Sequence, residues 1–304
     1  MSQKTKILHD RLDKGSMHSI TAPETVPNQR AYSRKCPRYA RLLSICFVWL
    51  PVILAGVFAG CEKKTESIKD PGTIVFTANG EDFVRNGFVD KGGWHLHFDT
   101  VLVNLASPTA YSPSGTPTQS LDGQYLVDLA TGDENEAVVV VGSASGSPAG
   151  NYQSLRFGLR QLNDGPYKGA SIVLIGTATR DTETVSFTIS LSEELDFDGK
   201  EGYVGDEVKG MLSPGDSTVV EMTFHFDHIF GDSQAPPDDH INTGSVGFEF
   251  FRRLPGDGHL EISQDRLKNE PEYNTLLAAI RTLGHLGEGH CEAIPVADSP
   301  GESN

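Results

Sequence analysis

Cysteine is scarce in this sequence: the 304 residues contain four, and three of them fall within the first 61 residues. Beyond residue 61 only Cys291 remains, which excludes an intramolecular disulfide in that part of the chain. A lone thiol in an oxidising compartment has one of three explanations: an intermolecular disulfide, a reactive role or metal ligation. Because Cys291 directly follows His290, ligation is our first interpretation, ahead of a buried small hydrophobe.

Basic side chains are also few, 25 against 41 acidic ones, for a formal net charge of −16. Residues 1–60 hold nine of the basic and three of the acidic side chains, so residues 61–304 carry 16 and 38 and a net charge of −22. Such a field repels nucleic acid and anionic lipid head groups and attracts cations. Nucleic-acid binding is therefore excluded.

The common catalytic motifs are missing. The sequence has no His-Glu-x-x-His, no Walker loop, no dinucleotide fingerprint, no Gly-x-Ser-x-Gly and no Cys-x-x-Cys-His. His285 and Glu288 have the spacing of an inverted zincin motif, but Gly289 stands at the second histidine position, and the glycines there oppose a helix. No internal repeat or long low-complexity tract is present.

The N-terminal segment has the pattern of a secretory signal. Four basic residues within 34–41 precede an uncharged run at 42–60, which ends Val-Phe-Ala-Gly-Cys. Ala59, Gly60 and Cys61 resemble a bacterial lipobox, with Phe58 in place of the usual aliphatic residue. The resemblance implies that Cys61 is lipidated and anchors an extracytoplasmic protein to a bacterial membrane, in the periplasm or at the cell surface. The alternative is one transmembrane anchor, which Pro51 and the small-small-Cys ending disfavour.

The whole sequence divides into four predicted segments. They are a signal at 1–60, a polar tether at 61–71, a β-sandwich domain at 72–292 and a disordered tail at 293–304. Short β-branched and aromatic runs separated by turn residues are typical of a mainly β fold, an antiparallel β-sandwich. Several runs alternate, as Val185, Phe187 and Ile189 do. The predicted strands are 73–77, 94–105, 125–129, 137–141, 154–162, 171–179, 184–191, 217–229 and 245–251.

One C-terminal amphipathic helix is expected. Asn269 is its predicted N-cap, and Pro271 lies in its first turn, where a missing N–H costs nothing. Gly284 ends the helix and so places His285 at a fixed point. Its apolar stripe is formed by Tyr273, Leu276, Leu277, Ile280 and Leu283.

The segment 284–291, Gly-His-Leu-Gly-Glu-Gly-His-Cys, concentrates metal-ligand side chains in a loop that three glycines let curl. His285, Glu288, His290 and Cys291 are therefore candidate ligands.

Two predicted strands carry matching polar faces. His95, His97 and Asp99 share one face of their strand, because side chains two apart point the same way. His225 and Asp227 do the same in the run 222–227. The candidate metal site therefore comprises His95, His97, His225, Asp227, His285, Glu288, His290 and Cys291, with Asp99 in a supporting role as a hydrogen-bond partner of a ligating imidazole. His228 falls on the apolar face of the second strand, and we interpret it, like His240 and His259, as an ordinary residue.

Two acidic segments have weaker interpretations. The segment 229–244 is either a lid or cation funnel over the site or a solvated connection. Asp196 and Asp198 begin like a calcium loop, but Gly199 comes two places early, so we expect a turn at 193–207 with at most weak structural Ca²⁺ binding.

Two further resemblances point to the same class of protein. The run Ala-Gly-Asn-Tyr at 149–152 resembles the Ala-Gly-x-Tyr start of a strand in bacterial β-sandwich lipoproteins, including periplasmic copper-binding proteins of the methanobactin-partner type. That likeness runs loosely over 73–191. The Phe-His-Phe-Asp-His run at 224–228 and the segment 284–291 resemble parts of bacterial lipoproteins of uncharacterised function, which carry over no ligand set.

These observations lead to three hypotheses. The first is an extracytoplasmic, lipid-anchored protein that binds a transition metal, copper or zinc, for capture, delivery or sensing. The second is a metal-dependent hydrolase with Glu288 as general base. The third is a structural or adhesive surface module that binds no metal.

Overall fold

The computed structural model describes residues 70–131, 138–205, 208–254 and 258–296. The predicted signal at 1–60, Cys61, most of the tether and residues 297–304 lie outside the described residues.

Within this part of the chain the backbone forms seventeen strands and six short helices. The strands are β1 Gly72–Asn79, β2 Phe88–Val89, β3 His95–Tyr111, β4 Thr118–Ser120, β5 Gln124–Asp128, β6 Val139–Ser147, β7 Gly150–Asn151, β8 Ser154–Leu159, β9 Ile172–Arg180, β10 Glu183–Leu191, β11 Leu195–Gly199, β12 Met211–Leu212, β13 Ser217–Phe224, β14 His259–Ser263, β15 Gly284–Leu286, β16 Gly289–His290 and β17 Glu292–Pro295. The helices are α1 Glu81–Asn86, α2 Asp227–Phe230, α3 His240–Thr243, α4 Phe248–Arg252, α5 Gln264–Leu267 and α6 Tyr273–Arg281.

The strands form two main sheets, so the expected mainly β, sandwich-like fold is confirmed. One sheet has the order β16-β15-β13-β1-β6, and the other runs β14-β10-β9-β3-β8-β11-β17, with β2, β4 and β5 also paired to β3. The pairing is not wholly antiparallel as expected: β1 pairs in parallel with β13, and β10 in parallel with β14. Both parallel pairs join strands that are distant in sequence. The alternation of side chains within a strand does not show in which direction a distant partner strand runs.

Aromatic side chains join the two sheets. Phe224 of β13 lies against Phe157 of β8, with ring centroids 5.7 Å apart, and against Phe197 of β11 at 6.3 Å. All three rings are fully buried. Each stabilises the fold by about 1.5–3 kcal/mol through burial. Because Phe224 is the last residue of β13, this packing fixes the point at which the next residue, His225, leaves the sheet.

The predicted C-terminal helix is present as α6, although its N-cap is Glu272 and not Asn269. Leu276, Ile280 and Leu283 of the predicted stripe are buried. The other five helices were not expected.

One of these short helices replaces a predicted strand. Residues 248–251 of the predicted strand 245–251 lie in α4, because Gly247 takes a φ of 73° and the Asp90 carboxylate accepts a hydrogen bond from the Phe248 N–H at 2.7 Å. A short apolar run does not separate a buried strand from a buried helix by periodicity.

The ordered chain also extends past the expected boundary at 292. Strand β17 pairs with β11, from Leu195 opposite Pro295 to Asp198 opposite Glu292. Residues 293–295 therefore belong to a sheet and not to a disordered tail.

Candidate metal centre

Two imidazoles come from the turn that follows β13. The His225 N–H donates to the Leu283 carbonyl at 3.1 Å, and the His228 N–H donates back to the His225 carbonyl at 3.2 Å. The predicted strand 217–229 therefore ends at Phe224 and becomes the single turn α2. In a helical turn residues three apart are neighbours, so His228 lies beside His225. It is not on an opposite, apolar face, as strand alternation had predicted.

Two more imidazoles come from the C-terminal hairpin. Strands β15 and β16 are joined by the two residues Gly287 and Glu288, and Gly287 has a φ of 57°. Glycine at the first position is typical of the tight turns that connect hairpin strands. The register places His285 opposite His290, and directly opposed residues project from the same face of a sheet.

Together these elements form a cluster of four imidazoles. One ligand atom from each of His225, His228 and His285 lies within 4.8 Å of the others, so this group could hold a metal ion. The ring centroid of His290 is 4.2 Å from that of His285 and 5.3 Å from that of His228. We call these four residues the histidine cluster.

Thr282 orients two of the four rings. Its hydroxyl donates to the Ala279 carbonyl at 2.9 Å and so accepts from His228 Nδ1 at 2.7 Å, which leaves the lone pair of His228 on Nε2. Its carbonyl accepts from His285 Nε2 at 3.0 Å, which leaves the lone pair of His285 on Nδ1. Ligating histidines are usually held by such a bond from the other ring nitrogen.

Three polar atoms at the cluster lack a hydrogen-bond partner although they are buried: His225 Nε2, His285 Nδ1 and Asp227 Oδ1. Leaving such a group unpaired costs about 1–3 kcal/mol, and more when it is charged. A lone-pair nitrogen and a carboxylate oxygen are both ligands of transition metals, and a bound cation would satisfy both.

Glu81 is a further carboxylate at the cluster that sequence analysis missed. Its Oε1 lies 3.3 Å from His225 Nε2, an ion-pair distance. Glu81 has a φ of 60°, in the left-handed region that side-chain-bearing residues rarely adopt, and its N–H donates to Asn79 Oδ1 at 2.8 Å. Strained backbone of this kind occurs at functional sites more often than elsewhere.

The pKa values within the cluster diverge. Burial, followed by the charge of His225, lowers the pKa of His285 to about 3 and that of His228 to about 4. For His225 burial acts in the same direction, but the Glu81 carboxylate and the charges of Asp227 and Glu288 outweigh it and raise the pKa. His228 and His285 are therefore neutral, and able to ligate a metal, over the whole physiological range.

The rings of His225 and His285 are stacked, with centroids 3.8 Å apart and planes inclined by 9°. A metal–imidazole bond lies in the plane of the ring, and two parallel, offset planes share no point. Joint ligation therefore requires one of these rings to turn. His225 is the freer of the two, since His285 is held by the Thr282 carbonyl.

The structure separates the predicted strand histidines from this cluster. His95, His97 and Asp99 alternate on β3 as expected, but they are exposed and belong to the other sheet. His97 Nε2 lies 3.6 Å from Asp99 Oδ1. None of the three belongs to the group that could hold a metal.

Cys291 is also separated from the cluster, since it follows His290 in an extended segment and so faces the opposite way. It is 6% exposed and packs in the hydrophobic core. Burial, followed by the charge of Asp198, raises the pKa of the thiol to about 12. A buried neutral thiol is the alternative to metal ligation that the sequence offers for Cys291.

The remaining predicted residues have mixed placements. Glu288 is exposed in the hairpin turn, where its N–H donates to the Val204 carbonyl at 3.3 Å. His259 is held by Ser186 and Thr188, as an ordinary polar residue would be. His240 lines a cavity beside the cluster together with His228 and His290.

The expected calcium turn is absent from the part of the chain that the structure describes, because Asp196–Gly199 belongs to β11. Asp196 pairs with Arg160, and Asp198 pairs with Arg156 and with the Tyr111 hydroxyl. Both carboxylates are thus already neutralised by arginine.

Among the described residues no helix is long and apolar enough to cross a membrane. Comparison of the chain with protein-family models, with curated proteins and with solved structures finds no match. The histidine cluster is therefore the feature from which function is inferred.

Proposed function

We propose that this protein binds a transition metal ion, copper or zinc, through His225, His228 and His285, with His290 or Asp227 completing the coordination shell. The observation that carries the proposal is the convergence of three imidazoles whose ligand atoms lie within 4.8 Å. Imidazole ligands suit both metals, and bound histidines in proteins are commonly oriented by outer hydrogen bonds, as Thr282 orients two here.

The surrounding charge supports a cation as the ligand. Glu81 and Asp227 contribute carboxylates beside the imidazoles. The net charge of −22 over residues 61–304 raises the local concentration of cations. A metal dication would also remove the cost of leaving Asp227 Oδ1 unpaired in the interior.

We further propose that the protein works outside the cytoplasm, attached through lipid on Cys61, and captures, delivers or senses the metal. This part rests on the signal-like segment at 34–61 and its likeness to a lipobox. Metabolic labelling with a fatty-acid analogue tests it. Label on the native chain that is lost in Cys61→Ala supports the anchor, and an unlabelled native chain refutes it.

The metal site is tested by elemental analysis of the purified full-length protein before and after chelation. We expect one copper or zinc ion per chain, lost in the double variant His228→Ala/His285→Ala. The matched control is His95→Ala/His97→Ala, which removes two exposed histidines from the other sheet and leaves the metal content unchanged. Equal metal content in both double variants contradicts the proposal.

Thermal unfolding gives an independent readout. A ligand that binds only the native state stabilises it by about 2.7 kcal/mol at 100 times its Kd. Added metal should raise the melting temperature of the native protein and of the His95/His97 control. Added metal should leave the melting temperature of the His228→Ala/His285→Ala variant unchanged.

Hydrolysis is a second candidate, favoured by a cavity against His228 and His290 and by the unpaired carboxylate of Asp227. Burial raises the pKa of Asp227, which is a property of general bases. Asp227 replaces the exposed Glu288 in that role. Turnover of ester or phosphoester substrates by the metal-loaded protein, lost in Asp227→Asn with metal content retained, would establish it.

A further inference from the structure

A cavity adjoins the histidine cluster between helices α3 and α6. Its volume is about 180 Å³. Two members of the cluster, His228 and His290, form one wall, and the opposite walls are mostly apolar. The lining residues are His228, His240, Ile241, Gly244, Ala278, Ala279, Thr282 and His290.

The size of this cavity matches a single ring. An apolar cavity of about 150 Å³ accepts benzene, so this one holds a body of about six to eight heavy atoms. Small side chains create the space: Ala279 is buried in the wall, whereas Ala278 is exposed and lies at the mouth. A larger residue at position 278 would therefore narrow the cavity without disturbing the core.

The charge distribution selects for a neutral occupant. No carboxylate lines the cavity among the residues that the structure describes. The carboxylates of Glu81, Asp227 and Glu288 nonetheless act on His225 of the cluster. These three negative charges outnumber the two positive charges of the metal ion, so an anion in the cavity would add to an excess of negative charge and bind more weakly than a neutral molecule.

We propose that this cavity binds a small neutral molecule with a ring-sized apolar body and one nitrogen or oxygen donor atom, as an additional ligand of the metal that the cluster holds. The proposal rests on the metal-binding function proposed above. His228 links the two sites, because its Nδ1 is held by Thr282 and its Nε2 lone pair is free for the metal, while the ring itself lines the cavity.

The test uses the full-length protein loaded with Co²⁺, whose visible spectrum reports its ligands, and pyridine as the probe. We expect pyridine to shift the cobalt spectrum saturably. Benzoate, which has the same ring and a negative charge, should bind more weakly by about tenfold or more. Benzene, which lacks a donor atom, should compete with pyridine without causing the shift itself.

Two variants locate the pyridine site. Ala278→Leu should weaken pyridine binding by at least about tenfold, since one methylene group in an apolar pocket is worth that much. Ala149→Leu, at an exposed alanine in the turn between β6 and β7, is the matched control and should bind pyridine normally. Ile241→Ala enlarges the cavity and should raise the affinity for 4-ethylpyridine relative to that for pyridine, compared with the native chain. This variant keeps the test decisive if Ala278→Leu fails to fold.

The outcomes separate the two proposals. A missing cobalt spectrum, together with no copper or zinc in the elemental analysis, refutes the metal site and the cavity proposal together. A normal cobalt spectrum that pyridine leaves unchanged refutes the cavity proposal alone. Equal pyridine affinity in Ala278→Leu and Ala149→Leu, or benzoate binding as tight as that of pyridine, refutes it as well.

Discussion

Replacing Thr282 by valine removes the hydroxyl that holds His228 and keeps the shape of the side chain. In the native chain that hydroxyl accepts from His228 Nδ1 at 2.7 Å and donates to the Ala279 carbonyl. The Thr282 carbonyl, which holds His285, belongs to the backbone and is unaffected. The substitution therefore releases one imidazole of the cluster and leaves the other in place.

The expected magnitude follows from that single bond. Loss of an outer hydrogen bond to a ligating histidine weakens metal binding by about 10- to 100-fold, which equals about 1.4 to 2.8 kcal/mol of binding free energy. The free energy of unfolding without metal should fall by only about 0.5–1.5 kcal/mol. Truncating the ligand itself, in His228→Ala, should cost more affinity than Thr282→Val does.

Competition against a chromophoric chelator measures the Kd of each variant for zinc. The matched control is Thr275→Val, the same substitution two helical turns earlier on α6, which should leave the Kd unchanged. The measurement must resolve a tenfold difference in Kd. If Thr282→Val binds zinc within about twofold of the native Kd, the Thr282 hydroxyl does not position a ligand.

Three further predictions concern proton competition, the thiol and the hairpin. Metal affinity should fall as the pH drops through the raised pKa of His225, because the metal must displace the proton. Glu81→Gln should move this loss of affinity to lower pH. An unmoved midpoint in metal titrations over a pH series would show that Glu81 does not raise the pKa of His225. Cys291→Ala should leave the metal Kd unchanged. The native Cys291 thiol should react with a disulfide reagent only after denaturation, and rapid labelling of the folded protein would show that the thiol is not buried. Gly284→Ala should destabilise the fold by about 1–3 kcal/mol in urea titrations, because the added Cβ would lie 2.5 Å from Phe197 Cδ1. An unchanged urea midpoint would show that this contact relaxes at no cost.

Sequence periodicity recovered those elements whose sides face different environments. Phe187 and Ile189 of β10 are buried as their alternation predicts, and Leu276 and Ile280 of α6 are buried as their helical spacing predicts. Both patterns arise because one face of each element meets the core and the other meets water. In the run 245–251 the structure instead forms α4, in which Phe248, Phe250 and Phe251 are all buried, so alternation did not report the element and the predicted strand was wrong.

Local patterns identify only some of the histidines that form the cluster. His285 was found because glycines and ligand-type residues concentrate around it, and His225 because its run alternates. His228 was excluded by carrying that alternation four residues too far, past the point where the chain turns. The spacing of His225 and His228, three residues apart, was the available signal, since it places two side chains side by side in a helical turn.

Glu81 and the separation of His95 from the cluster had no signal in the sequence at all. Glu81 reaches His225 across 144 positions of chain because β1 and β13 pair in parallel, so that the residues following both strands emerge at the same edge. His95 lies in an equally regular polar pattern, yet its strand belongs to the other sheet.

The sequence by itself determined the mainly β class, the C-terminal helix, the acidic charge and the supply of imidazoles at 225 and 285. These follow from composition and from local periods of two or 3.6 residues. Only the tertiary structure decided which histidines meet, that Cys291 faces the core, that Thr282 orients two rings and that a cavity adjoins them. Those depend on strand order and on where each strand stops, which contacts between residues distant in sequence determine.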